Sequence, residues 1–102
     1  MNIELRHLRY FRAVAEAASF TAAARTVHVA QQVLSAQIRQ LEDALGVQLL
    51  ERTSRGVVLT AAGSAFLEGA QATLADLDRA VAAARNAAAS VAAGGAGAGG
   101  RR

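Results

Sequence analysis

Hydrophobic positions recur at three- and four-residue steps in four stretches of the chain, and in a fifth they flank a short polar turn. Leu5, Leu8, Phe11, Val14 and Ala18 form the first stripe, so a helix is predicted over about Ile3 to Ala18, with Arg6, Arg9, Arg12 and Glu16 off the stripe. A second, shorter helix is predicted over roughly Thr21 to His28. Its core side is small (Ala23, Ala24, Val27), and Ser19 or Thr21 can cap it through a side-chain oxygen. A tight connection over His28–Ala30 leads to a third helix ending at Leu45. There Leu34, Ile38, Leu41 and Leu45 make the buried stripe, while Gln32, Ala36, Arg39 and Asp43 lie opposite, flanked by Ser35 and Gln40. Gly46 suits the left-handed residue that commonly ends a helix.

Between Val47 and Leu59 two β-prone flanks enclose a Ser-Arg-Gly turn, the pattern of a small hairpin with Arg52 and Arg55 near its tip. Thr60 then caps a fourth helix with one dominant feature. Leu67, Ala70, Leu74, Leu77, Val81, Ala84, Ala88 and Val91 follow one another at alternating steps of three and four, an unbroken heptad seam. Such a helix is about 50 Å long at 1.5 Å per residue. A head of about sixty residues is only about 25 Å across. The helix therefore outruns its own domain, and part of the seam needs cover from a second chain. The chain closes on a glycine-rich stretch that reads as a flexible linker. The expected organisation is a head over residues 1–59, a linker and dimerisation helix over 60–93, and a hinge or tail over 94–102.

Composition narrows the chemistry. Hydrophobic residues are 53% of the 102, but 27 of them are alanine, so the core is modest and a large ligand cavity is not expected. There is no cysteine, which removes disulfides, thiolate metal sites and thiol catalysis and fits a reducing cytoplasm. No stretch reads as a membrane span or signal peptide. His7 and His28, too far apart for a short metal motif, read as surface or turn residues. No nucleophile–base pair, phosphate loop or paired acids suggest an enzyme, and no cofactor is expected. The net charge is +3, and all 11 basic residues are arginine, which forks hydrogen bonds onto phosphate or guanine.

Two short helices joined by a tight turn and followed by a hairpin predict a mainly α winged helix-turn-helix: three helices and a β-hairpin wing, with the long helix behind. That unit lays its second helix in the DNA major groove while the wing meets backbone or minor groove. The reading surface is then the exposed first half of the third helix, with Gln31, Gln32 and Ser35. Glutamine can pair with adenine through two hydrogen bonds, and serine serves a base edge or a phosphate. Arg39 is placed for a phosphate. Arg52 and Arg55 are the residue type favoured in a narrow minor groove, although Arg52 could instead pair with Glu51 or Glu42 and hold the wing.

The residues also resemble a family. Leu5-Arg6-His7-Leu8-Arg9-Tyr10-Phe11, Ser19-Phe20-Thr21-Ala22-Ala23-Ala24, Gln31 with Leu34-Ser35, Gln37-Ile38, Leu41-Glu42, Leu45-Gly46, Leu50 through Gly56, Leu59-Thr60 and Ala62-Gly63 are similar, in order and spacing, to the DNA-binding domain of LysR-type transcriptional regulators. The resemblance implies a bacterial, cytoplasmic regulator that binds double-stranded promoter DNA as a homodimer through the linker helix. It implies that any small-molecule inducer acts through a larger effector domain beyond the glycine hinge. It carries over Gln31, Ser35 and Arg55 as contact positions. It also marks three departures: Ala30 where the family has a serine cap, Gln32 in place of a proline, and Ala36 in place of an arginine or other polar reader. An alanine methyl offers only apolar contact, for instance to a thymine methyl. Those departures leave a second reading open, a dimerisation or adaptor module that sequesters a related full-length regulator.

Overall fold

The computed structural model describes residues 2–94; of the expected tail over 94–102, Gly94 is the last residue of the final helix, and residues 95–102 lie outside the described residues. Its elements are α1 (Leu5–Ala17), α2 (Phe20–Val27), α3 (Gln31–Leu45), β1 (Leu50–Thr53), β2 (Gly56–Leu59) and α4 (Ala61–Gly94). The molecule is mainly α, with one two-stranded antiparallel sheet as the wing.

The helix ends are set by local chemistry. The Glu4 backbone N–H donates to His7 Nδ1 at 3.0 Å, fixing the start of α1. Ala18 ends that helix in the left-handed region, φ 54°, its N–H bonded to the Val14 carbonyl. Ser19 is the cap of α2: its Oγ accepts from the Ala22 N–H at 3.1 Å. Val27 is the last helical residue, and His28 makes the turn at φ 61°. Gly46 closes α3 at φ 74°, as its position after Leu45 implies. Ala30 starts α3 with no side-chain hydrogen bond, so one donor at the helix N-terminus lacks the usual partner.

Phe11, Val14, Phe20, Leu34, Ile38, Leu41, Leu49 and Val57 form the main core, drawn from α1, α2, α3 and the wing. The Phe66 ring of α4 closes it edge-to-face on Phe11, centroids 5.6 Å apart. Two expectations for α1 are corrected here. Leu5 is not in the stripe: it is exposed at the first turn, and Ala18 is an exposed cap. His7 is not a surface residue: it is 2% exposed, because it faces α3, where its Nε2 lies 3.3 Å from Gln40 Oε1.

The wing is tied down at both strands. Glu42 Oε2 on α3 accepts from the N–H groups of Leu49 (2.8 Å) and Leu50 (3.2 Å), holding the lead-in to β1. The Val57 N–H donates to the Ala18 carbonyl at 3.2 Å, holding β2 against the end of α1. Gly56 sits there at φ 131°, and a Cβ on it would lie 2.6 Å from the Ala18 oxygen. The turn between the strands is Ser54–Arg55, with Thr53 Oγ1 accepting from the Arg55 N–H. Arg55 is therefore at the tip. Arg52 is one step back, within β1 opposite Val57, rather than at the tip.

Thr60 starts α4: its Oγ1 accepts from the Gly63 N–H at 2.9 Å and donates to the Gln48 carbonyl at 2.7 Å. The 34-residue α4 is about 51 Å long at 1.5 Å per residue, in a molecule measuring 60 × 27 × 19 Å. The helix outruns the head, and the seam divides accordingly. Ala70 and Leu74 are buried against Leu8 of α1, and Leu67 and Leu77 are half-buried. Val81, Ala84, Ala88 and Val91 are exposed.

Candidate nucleic-acid interface

The exposed side of α3 and the inner side of the wing border two adjoining clefts. One, about 350 Å³, is lined by Ser35 and Arg39 of α3, Arg52 and Leu50 of β1, and Phe20, Ile38, Glu42 and Gln48. The other, about 320 Å³, brings Gln31 of α3 together with Thr21 of α2 and with Arg52 and Arg55 of the wing. Phe20 and Arg52 line both. Gln31, Ser35, Arg39, Arg52 and Arg55, far apart in sequence, thus share one side of the head.

Buried Leu34, Ile38 and Leu41 fix the rotation of α3, and that rotation turns Gln32 and Arg39 outward and leaves Ser35 and Ala36 half-buried. Gln32 and Ala36 lie one turn apart on the outer face and border neither cleft. The exposed Val33 adds a second apolar side chain to this face. Gln31 is bonded to Thr21, whose hydroxyl donates to Gln31 Oε1 at 3.1 Å.

The arginines differ in how they are held. The Arg52 guanidinium carbon stacks 4.3 Å from the centroid of the Phe20 ring, so it is held by a cation–π contact rather than by Glu51 or Glu42. Arg55 and Arg39 are exposed. Among the described residues the salt bridges are Arg6–Glu4 and Arg79–Asp76, so Arg39, Arg52 and Arg55 keep their charge uncompensated by an ion pair. A surface of unpaired guanidinium groups, amides and hydroxyls on either side of a cleft is suited to a polyanionic strand.

Sequence reading missed two contributors. Phe20 appears in the sequence as one more core aromatic, and only its position under Arg52 gives it a second role. The role of Thr21 toward Gln31 was obscured by its other reading as a helix cap, which Ser19 fills.

Three helices with a wing, carrying this face, define the winged helix-turn-helix class of DNA-binding domains. The family profile described as "Bacterial regulatory helix-turn-helix protein, lysR family" matches residues 5–64, and the chain belongs to that family. It is 58% identical to the Hca operon transcriptional activator HcaR of Escherichia coli (strain K12) over 72 residues, 71% of this chain and 24% of HcaR. The structure superposes with a TM-score of 0.82 on the BenM DNA-binding domain in complex with catB site 1 DNA, at 49% identity, covering 84% of this chain and 97% of that one. The CbnR DNA-binding domain in its DNA complex gives a TM-score of 0.79 at 50% identity, covering 84% and 99%. The chain spans about a quarter of the length of HcaR and 28% of that of the YnfL regulator of the same organism. It is the DNA-binding domain of a LysR-type transcriptional regulator, and its relatives are regulators rather than enzymes. No helix among the described residues is long and apolar enough to cross a membrane.

Proposed function

We propose that this chain binds specific double-stranded promoter sites as a homodimer, each head over residues 1–59 laying α3 in a major groove while Arg55 reaches the adjoining minor groove. Gln31, Gln32, Ser35 and Ala36 meet base edges. Arg39 meets a phosphate, and Arg52, stacked on Phe20, lies beside the strand that separates the two grooves. Residues 60–93 pair with a second copy through the outer seam, and the dimer works on chromosomal DNA in the cytoplasm. Inducer recognition belongs to the portion of such regulators outside the matched quarter.

The observation that carries this reading is the shared cleft. Gln31 at the start of α3 and Arg55 at the wing tip border one opening, so a single backbone strand lying in it has the major groove on the α3 side and the minor groove on the wing side. Ala36 presents a methyl where a longer polar side chain would reach a base, which favours thymine at the pair it faces.

The test is a fluorescence-anisotropy titration with sites selected from a random DNA pool, compared with unselected duplex at several salt concentrations. Selected sites are expected to bind at least ~10³-fold more tightly than unselected duplex. Arg55→Ala is expected to weaken binding and to reduce the salt slope by about one. An unchanged slope removes Arg55 from the interface.

A further inference from the structure

One side chain closes the wing tip, and its hydrogen-bonding roles are fixed on both sides. Thr53 Oγ1 accepts the Arg55 N–H at 3.2 Å and donates to the Gly56 carbonyl at 3.3 Å. A backbone N–H only donates and a carbonyl only accepts, so the hydroxyl has one arrangement here. Thr53 ends β1 and pairs with Gly56, the first residue of β2, so this clasp spans the two-residue turn that carries Arg55.

The second strand is held independently of the clasp. The Val57 N–H donates to the Ala18 carbonyl, and Gly56 lies so close to the same oxygen that a Cβ would overlap it. With β2 fixed to the head, the remaining freedom of the tip is in Ser54 and Arg55, and Thr53 restrains it. A β-branched side chain suits that role, because it has few χ1 positions to choose from. Arg55 is exposed, borders the cleft that contains Gln31, and is in neither salt bridge found among the described residues. A guanidinium on a flexible stem is aimed only as well as its backbone is held. Phosphates can be met from many tip positions, but the floor of a groove can be met from few.

We propose that Thr53 is a positioning residue for the wing arginine. By holding the Arg55 backbone it lets the guanidinium reach the minor-groove floor, and so sets a preference for base pairs with no amino group there. Guanine N2 is the amino group of that groove, whereas adenine N3 and thymine O2 are acceptors that a guanidinium can meet. On a loose tip the same charge would stay at phosphates, which carry no sequence information. This inference rests on the proposed entry of Arg55 into the minor groove.

The test uses the 102-residue chain and a site that it selects from a random duplex pool. Each base pair on the wing side is made in turn as G·C and as inosine·C. The two present the same major-groove edge, and inosine lacks only the minor-groove amino group. Wild type is expected to bind the inosine duplex about tenfold more tightly than the G·C duplex at one pair. Arg55→Ala should erase that ratio and so identify the pair. Thr53→Val, close in shape and well suited to a strand, is expected to lower the ratio to about threefold or less while leaving the salt slope unchanged, because the charge still meets a phosphate. Thr53→Ser keeps the hydroxyl and is expected to retain the wild-type ratio. In the Arg55→Ala background, Thr53→Val should change nothing further. The proposal is overturned if Thr53→Val keeps the wild-type ratio, if it weakens both duplexes equally, or if its effect persists without Arg55. Wild-type protein that binds inosine and guanine duplexes equally at every pair overturns the minor-groove entry of Arg55 as well, and that result appears before any variant is made.

Discussion

At the scale of single residues, packing distinguishes side chains that look interchangeable in the sequence. Gly63 and Gly69 both lie in α4, six positions apart. A Cβ on Gly63 would overlap the Leu49 carbonyl oxygen, the same oxygen that accepts the Thr60 N–H, whereas a Cβ on Gly69 would meet nothing. Gly63→Ala must push the start of α4 off the lead-in to β1, and over-packing of this kind costs about 1–3 kcal/mol. Gly69→Ala removes a flexible residue from a helix and is expected to add up to about 1 kcal/mol. Thermal unfolding followed by circular dichroism should therefore show opposite shifts, and equal shifts would refute the close approach. The sequence contains Gly63 plainly enough, but its reason is a carbonyl fourteen residues upstream. His7 teaches the same lesson. Its spacing from Glu4 is that of a helix-start pair, yet burial under Gln40 depends on how α1 crosses α3, and no local pattern reports a crossing.

At the scale of elements, the helices were legible to within a few residues, because three- and four-residue periodicity and the stop at Gly46 are local signals. The hairpin was legible as a hairpin, but its turn closes over Ser54–Arg55, since Gly56 is drawn into β2 by the Val57 bond to Ala18. Arg55 is thus the arginine of the tip, while Arg52, within β1, stacks on Phe20. The start of α3 was legible as a weak point, and the structure shows it: Ala30 holds the cap position with no side-chain bond. Ala30→Ser supplies an oxygen for a first-turn N–H and is expected to stabilise the chain by about 1 kcal/mol. The gain should appear as a higher unfolding midpoint at fixed protein concentration. If the midpoint does not move, the φ −67°, ψ 147° backbone at residue 30 does not bring the new hydroxyl to the first turn.

At the scale of the whole molecule, the seam is uniform in sequence but divided in space. A heptad repeat states that a face is covered without stating by what, so its eight positions read as one dimerisation surface. The structure gives the first half to the chain's own head, where Leu74 is fully buried beside Leu8 and Ala70, and leaves the second half open beyond Leu77. A substitution at Leu74 would therefore damage the head as well as any dimer, and the clean test lies further out. Val81→Asp with Ala88→Asp places two charges on the exposed seam, where pairing with a second helix would bury them unpaired. Ala83→Asp with Ser90→Asp puts the same charges on the far side of α4 and matches the change in charge and approximately in helix propensity. Light scattering should report monomers for the first pair and dimers for the second. Affinity for a single half-site should be about the same in both, with only the first losing the gain from paired half-sites, because two linked heads profit from effective concentration and single heads do not. If the first pair remains dimeric, α4 does not pair through this face, and the two heads are brought together by another surface.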